Sequence, residues 1–260
     1  MADELIRVER DAQVVTWTLQ RPEALNAFNR PLLQALGAAV AEAREDRTLR
    51  CAIVTGAGER AFSAGADLKE RRGMSLDDTR RFVQLIGATF DAVAQLPFPT
   101  LAAVNGVAFG GGMELLLACD LRVLSENARI GLTEVSVGIM PGAGGTQRLP
   151  RVLGTTRAKE LIFSARRLDA REAYDMGLAT RVVPQAQLMD TARELAARIA
   201  KQAPLAVRQA KHAIDAGLDV PLARGLEIEA DAYAQLLHTH DRVEGLKAFA
   251  EKREPQYRGE

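Results

Sequence analysis

Two glutamates in this sequence sit where a carboxylate could do chemistry. Glu114 follows three consecutive glycines, Gly110 to Gly112, and precedes the apolar run Leu115 to Ala118. Glycine has no Cβ, so backbone N–H groups there can come close to a ligand atom. A helix starting at that point adds unpaired N–H groups and the positive end of its dipole. The combination makes a socket for developing negative charge, with Glu114 in the first turn beside it. Glu134 lies between Leu132 and Val135 and leads into a second glycine-rich loop, Val135 to Gly145, able to offer free backbone donors. A third stretch, Ala61 to Lys69, is rich in small residues. It would let the N–H of Ala66 face a ligand and places the Lys69 cation nearby. Each feature also has a plainer reading. Glycines make tight turns, Glu114 complements a helix dipole, and an isolated glutamate at a loop edge is usually solvated.

The elements that must position these residues can be read from periodicity. Leu5 to Glu9 and Val14 to Leu19 alternate apolar and polar residues, which predicts a hairpin turning at Arg10 to Gln13. Pro31 opens a helix with apolar positions at Leu32, Leu36, Val40 and Ala43. Cys51 to Thr55 and Thr100 to Val104 are short buried strands, and Gly56 to Lys69 between them reads as a loop. Phe82 to Val93 marks a long helix closed by Pro97 and Pro99. After the glycines, Asp120 to Leu124 and Arg129 to Leu132 are strands, and Gly144 to Leu153 a helix. From Thr155 onward the pattern is almost wholly helical: runs to Ser164 and through Ala173, then Leu188 to Lys201, two proline-punctuated helices, and a last one over Asp241 to Lys252. The one strand in that half is Arg181 to Val183. A strand–strand–helix recurrence over 5–45 and 51–95 gives an α/β class with a helical C-terminal part.

Composition narrows the classes of function. Lys plus Arg and Asp plus Glu each number 34, so no net charge favours nucleic acid or an anionic membrane. No apolar run approaches the length of a membrane span. The charged N-terminal stretch Met1 to Arg10 lacks a signal-peptide core. Cys51 and Cys119 both sit in apolar runs and are expected to be buried, reduced thiols. A cytoplasmic protein is expected.

The segments FSAGADLKE, NGVAFGGGMEL, LTEVSVGIMPGAGGTQRLPR and the terminal DRVEGLKAFAEKREPQYRGE together resemble the enoyl-CoA hydratase (crotonase) family, over about Asn26 to Glu260. In ADLKER, AKELIFSAR and the C-terminal segment the chain is most similar to the methylglutaconyl-CoA hydratase branch. The resemblance implies a crotonase-like spiral of strand–strand–helix repeats over residues 1–195. It implies a helical trimerisation region over 196–260, in trimers or dimers of trimers. It assigns an oxyanion hole to the N–H groups of Ala66 and Gly111, gripping the thioester carbonyl of an acyl-CoA. Glu114 would be the base acting on water, Glu134 would protonate the α-carbon, and the N–H of Gly142 would help hold the water. CoA would lie along Ala24, Leu25, Asn26, Ala64, Leu68 and Lys69, with Phe249 and Lys252 covering it on a neighbouring subunit. No cofactor and no metal are implied, because the acyl-CoA is the substrate. The implied reaction is hydration of a straight-chain 2-enoyl-CoA, with 3-methylglutaconyl-CoA hydration or enoyl-CoA isomerisation as alternatives.

Other motifs carry less. Gly56-Ala57-Gly58-Glu59-Arg60-Ala61 fits a dinucleotide fingerprint, but the residues after it do not read as the helix such a site needs. Phe62-Ser63-Ala64-Gly65 resembles a nucleophile elbow with its first glycine replaced by Ala61. The three histidines, His212, His238 and His240, all lie in the helical half. One member of the methylglutaconyl-CoA hydratase branch binds AU-rich RNA through a lysine-rich helix. The corresponding helix here, Pro31 to Asp46, contains no lysine, and Arg44, Arg47 and Arg50 read as a solvated face, so no RNA binding is expected.

Overall fold

A computed structural model describes residues 5–260. Residues 1–4, the start of the charged N-terminal stretch, lie outside it. The hairpin β1 (Ile6–Asp11) and β2 (Val14–Leu19) is antiparallel with Ile6 opposite Leu19. Its turn is tighter than the four residues expected, because Ala12 takes φ +49 and lets both strands run on to Ala12 and Gln13. Helix α1 (Arg30–Glu45) follows, capped by the Asn29 side chain accepting from the Leu32 N–H. Then come β3 (Cys51–Gly56), β4 (Ala61–Ser63), α2 (Leu68–Arg71), α3 (Leu76–Ala94), β5 (Thr100–Val104), β6 (Val107–Phe109), α4 (Gly111–Ala118), β7 (Leu121–Ser125) and β8 (Arg129–Gly131). The chain continues through α5 (Gly145–Leu153), α6 (Thr155–Phe163), β9 (Leu168–Asp169), α7 (Ala170–Asp175), β10 (Arg181–Val183), α8 (Leu188–Ala200), α9 (Pro204–Gly217), α10 (Leu222–Ala234) and α11 (His240–Glu251).

Two sheets share this traffic. The larger has the order β1-β2-β3-β5-β7-β10 and is parallel from β2 onward; the smaller has the order β4-β6-β8-β9. Each turn of chain therefore lays one strand in the first sheet and the next in the second: β3 then β4, β5 then β6, β7 then β8. This is the strand–strand–helix spiral that the sequence implied. β3 and β5 are apolar throughout because both faces are covered. Ala52, Val54, Ala102 and Val104 face the core under α1 and α3, while Cys51, Ile53, Leu101 and Ala103 face Leu188, Ala192 and Ala196 of α8. Both cysteines are buried and free, as expected from their apolar surroundings.

The departures from the sequence reading are short elements. The segment read as a loop over 56–69 contains β4 and the one-turn α2, and the run leading to the glycines breaks at Asn105-Gly106 before β6. Helix α4 begins at Gly111, well before Leu115, and the two-residue β9 lies in a region read as helical. Strands of two or three residues are too short to show a period. Asn105 is what holds the break. Its buried amide donates to the carbonyls of Gly56, Gly58 and Ala61 and accepts the Gly56 N–H, so it stitches β3, β4 and β5 at the point where the chain leaves one sheet for the other. Asn105→Ala is expected to lower stability by about 2–3 kcal/mol, read as a fall of roughly 5–10 °C in Tm by thermal denaturation.

Helices α9 to α11 extend beyond the sheets. Lys211 ties α9 back through Asp120, at 2.5 and 2.6 Å to its two carboxylate oxygens. Buried Asp241 accepts the N–H groups of Arg258 and Gly259 and fixes the C-terminal segment. Among the described residues no helix is long and apolar enough to cross a membrane.

Candidate active site

Strand pairing decides which backbone donors are free. Phe28 and Ala66 form an isolated parallel bridge: the Phe28 N–H donates to Gly65 O at 2.8 Å and the Asp67 N–H donates to Phe28 O at 2.9 Å. The N–H of Ala66 is left pointing the other way. The N–H of Gly111 opens α4 and has no carbonyl one turn back to receive it. The two loops touch. A Cβ built on Gly111 would lie 3.7 Å from Ala66 N, and one on Gly65 would fall 2.7 Å from Phe109 O and 3.1 Å from Gly111 N. Gly65 also has φ +91, a conformation that side chains with a Cβ rarely adopt. Gly112 is packed still closer, since any Cβ there would collide with the Ser63 carbonyl. Asp67 braces the loop by capping α2 and pairing with Arg21 at 3.0 Å. Two unpaired donors held this rigidly, side by side, suit an oxyanion.

Both glutamates flank that pair. Glu114 is 3% exposed, and its Oε1 accepts the N–H groups of Ala143 at 2.7 Å and Gly145 at 2.9 Å. Burial pushes its pKa up, while those two N–H groups and the Arg148 cation pull against that rise. Glu134 stands on the single 3-10 turn Glu134–Val137. It is no solvated loop charge: both carboxylate oxygens are buried with no hydrogen-bond partner. Its Oε1 would lie 3.4 Å from a Cβ on Gly110, the residue that precedes the Gly111 donor. Burial raises its pKa to about 7; its own backbone N–H opposes that, and the Glu114 charge adds to it. The environments differ in kind. Glu114 has two N–H groups from a neighbouring loop and a cation that favour its ionised form, whereas Glu134 has only its own backbone N–H against its burial, an arrangement that can hold two like groups in different protonation states.

Of the other residues expected at the site, Ala24, Leu25, Ala64, Leu68 and Lys69 are drawn to one rim. The Ala64 N–H donates to Leu25 O at 2.9 Å, Asp67 caps the helix that starts with Leu68 and Lys69, and Leu68 is 62% exposed. Asn26 departs from its expected place against a ligand. It is fully buried, its amide bonds the Arg21 N–H and the carbonyls of Ala57 and Ala61, and its part is to hold the left-handed turn at Leu25 and Asn26. Gly142 makes no hydrogen bond to Glu114. Phe249 is 86% exposed and Lys252 ends α11, so neither side chain packs against these loops within one chain. The sequence reading passed over the N–H groups of Ala143 and Gly145. The glycine-rich loop signalled that donors were available, but which of them turn inward follows from the fold. Among the described residues no three His, Cys, Asp or Glu side chains gather as a metal site would require.

This geometry agrees with what the chain is similar to. The family model described as enoyl-CoA hydratase/isomerase matches residues 9–260. The human mitochondrial methylglutaconyl-CoA hydratase is 46% identical over 256 residues, covering 97% of this chain and 76% of that protein. The human mitochondrial enoyl-CoA hydratase domain-containing protein 2 is 46% identical over 253 residues, covering 96% and 87% respectively. A crystal structure of an enoyl-CoA hydratase from Bacillus anthracis superimposes with a TM-score of 0.97 at 49% identity, covering 98% of this chain and 100% of that one. A spiral of paired strands is thus matched over nearly the whole length in sequence and in fold: the chain has the crotonase fold and belongs to the enoyl-CoA hydratase/isomerase family.

Proposed function

We propose that this protein is an enoyl-CoA hydratase, adding water across the 2,3-double bond of a 2-enoyl-CoA to give a 3-hydroxyacyl-CoA. The observation that carries the reading is the pair of glutamates, Glu114 buried and Glu134 half-buried with both carboxylate oxygens covered, set in contrasting surroundings near the Ala66 and Gly111 donors. In this scheme the two N–H groups hold the thioester oxygen as it becomes an enolate. Glu114 takes a proton from a water, helped by the N–H of Gly142, as that water's oxygen bonds to C3; Glu134 then gives its proton to C2. Oε1 of Glu114 is already engaged by Ala143 and Gly145, which leaves Oε2 for the water. An isomerase needs one group to move a proton between carbons, whereas hydration uses both.

CoA lies along the rim of Ala24, Leu25, Ala64, Leu68 and Lys69, with Phe249 and Lys252 of a neighbouring copy closing over it. The exposed apolar side chains of α9 to α11, among them Ile214, Leu218, Leu222, Leu226, Leu246 and Phe249, support a homotrimer or a dimer of trimers. The scheme uses no cofactor, because the thioester supplies the activation, and the protein works in the cytoplasm without nucleic acid. Straight-chain 2-enoyl-CoA is the first substrate. The 46% identical human methylglutaconyl-CoA hydratase supports 3-methylglutaconyl-CoA as the second reading.

Both are tested by following loss of the conjugated enoyl-thioester absorbance with crotonyl-CoA and with 3-methylglutaconyl-CoA. Turnover of crotonyl-CoA at a higher kcat/KM supports the first reading, the reverse ratio supports the second, and no hydration of either sinks the reaction. The pH profile adds a sign. Glu134 must be protonated and Glu114 ionised. So kcat/KM falls as pH rises through about 7, where Glu134 loses its proton, and falls on the acid side as Glu114 gains one. An alkaline limb absent from the profile contradicts Glu134 as the acid.

A further inference from the structure

One side chain meets the loop beneath Glu114 and has no part in the scheme above. The Arg148 guanidinium donates through Nη1 to the Ala143 carbonyl at 3.1 Å and pairs through Nη2 with Asp91 Oδ1 at 2.5 Å. Its backbone N–H donates to Gly144 O at 2.8 Å. Ala143 and Gly145 are the residues whose N–H groups grip Glu114, and the intervening Gly144 has φ +103 with the guanidinium so close that a Cβ there would overlap Nη1. The Arg148 side chain is 20% exposed and that of Asp91 58%, so the pair reaches from the edge of α3 inward to the turn. A guanidinium fork fixes orientation as well as charge.

We propose that Arg148 is a positioning residue for this reaction: held by Asp91, it fixes the Ala143–Gly145 turn so that both N–H groups aim at Glu114 Oε1 and Oε2 stays available for the water. The inference rests on the reading of Glu114 as the base. Few charges bear on that carboxylate. Of the elements packed against α4, strands β4 and β6 carry none, α3 faces it with Asp91, α5 with Arg148, and the Glu134 turn with a second carboxyl. Asp77, Asp78, Arg80 and Arg81 of α3 pair among themselves or with Arg30, and Arg151 pairs with Asp219. Among the described residues Arg148 is the one side chain whose charge favours the Glu114 carboxylate.

The test is steady-state hydration of crotonyl-CoA by wild type, Arg148→Gln, Arg148→Lys and Asp91→Asn across the pH range, with Glu114→Gln as control. Arg148→Gln is expected to lower kcat by about 10–100-fold with KM within about threefold, the effect of a displaced catalytic group. Its acid limb moves up, because a cation near Glu114 is gone. Arg148→Lys restores the limb but only part of kcat. Asp91→Asn, which frees the guanidinium, is expected to lower kcat in the same direction but less, with KM again within about threefold. A purely structural brace changes Tm without moving the limb. Arg148→Gln with normal kcat and an unmoved limb overturns the proposal, as does a wild-type kcat in Asp91→Asn. If Arg148→Gln does not fold, Asp91→Asn and Arg148→Lys decide: reduced kcat in both, with a wild-type limb in the second, supports it, and anything else overturns it. Activity surviving in Glu114→Gln removes the base assignment itself. An inactive Glu114→Gln beside a normal Arg148→Gln removes only the positioning role.

Discussion

Glu134→Gln is expected to lower kcat for enoyl-CoA hydration by about 10²–10⁴-fold, the range for loss of one positioned acid or base. Glu114→Gln should fall as far. Gln keeps the size of either side chain, so CoA-ester affinity, measured by calorimetry with a non-reacting acyl-CoA, should change by less than about threefold in both. The two variants separate in stability. Burial raises the Glu134 pKa from 4.5 to about 7, so the folded chain binds that proton more tightly than the unfolded chain does. Stability therefore declines as pH climbs between those values, and the full penalty remains above about 7. Gln cannot ionise. The Tm of Glu134→Gln should match wild type in acid and exceed it at alkaline pH. Glu114→Gln gains less, because the N–H groups of Ala143 and Gly145 and the Arg148 cation oppose the burial that raises the Glu114 pKa. Glu134→Gln with near-normal kcat would remove it from the reaction.

Gly65→Ala is expected to lower kcat by about 10²–10³-fold, comparable to losing one oxyanion-hole donor. The new methyl would sit 2.7 Å from Phe109 O and 3.1 Å from Gly111 N, and both are backbone atoms that cannot rotate away. Relief requires the Ala66 loop and the start of α4 to move apart, which separates the two donors. Gly177→Ala is the control for strain alone. Gly177 has φ +85, close to the +91 of Gly65, but a Cβ there meets nothing within 4 Å. Its cost should be about 1 kcal/mol of stability from the left-handed backbone, with kcat unchanged. Equal activity loss in both variants would show that strain, and not donor geometry, is responsible; normal kcat in Gly65→Ala would remove the donor pair from the mechanism.

Several features of this protein were determined by the sequence alone. The unbroken apolar runs at 51–55 and 100–104 could only be strands covered on both faces, and the structure covers them with α8 on one side and α1 and α3 on the other. Pro31 and the spacing of Leu32, Leu36, Val40 and Ala43 marked α1, and Phe82 to Val93 marked the body of α3, which the structure starts earlier, at Leu76. These signals are local, and local hydrogen bonds or one side of a helix suffice to produce them. The four motif segments, in order, were enough to mark the family.

The working parts of the site were decided by tertiary structure. Ala66 and Gly111 become neighbours because β4 and β6 pair in the second sheet, and strands of three residues have no period to read. Glu134 looked like an ordinary loop carboxylate until the surrounding chain closed over it and left both oxygens without partners. Burial is a property of what covers a residue, and those residues come from elsewhere in the chain. The same holds for Asn26, which the family resemblance set along CoA and whose side chain bonds Arg21, Ala57 and Ala61 within the core. The loop at 142–145 advertised free donors by its glycines, but only the fold, with its left-handed turn at Gly144, brings the N–H groups of Ala143 and Gly145 to Glu114. Residue types named the chemistry; long-range packing chose the atoms.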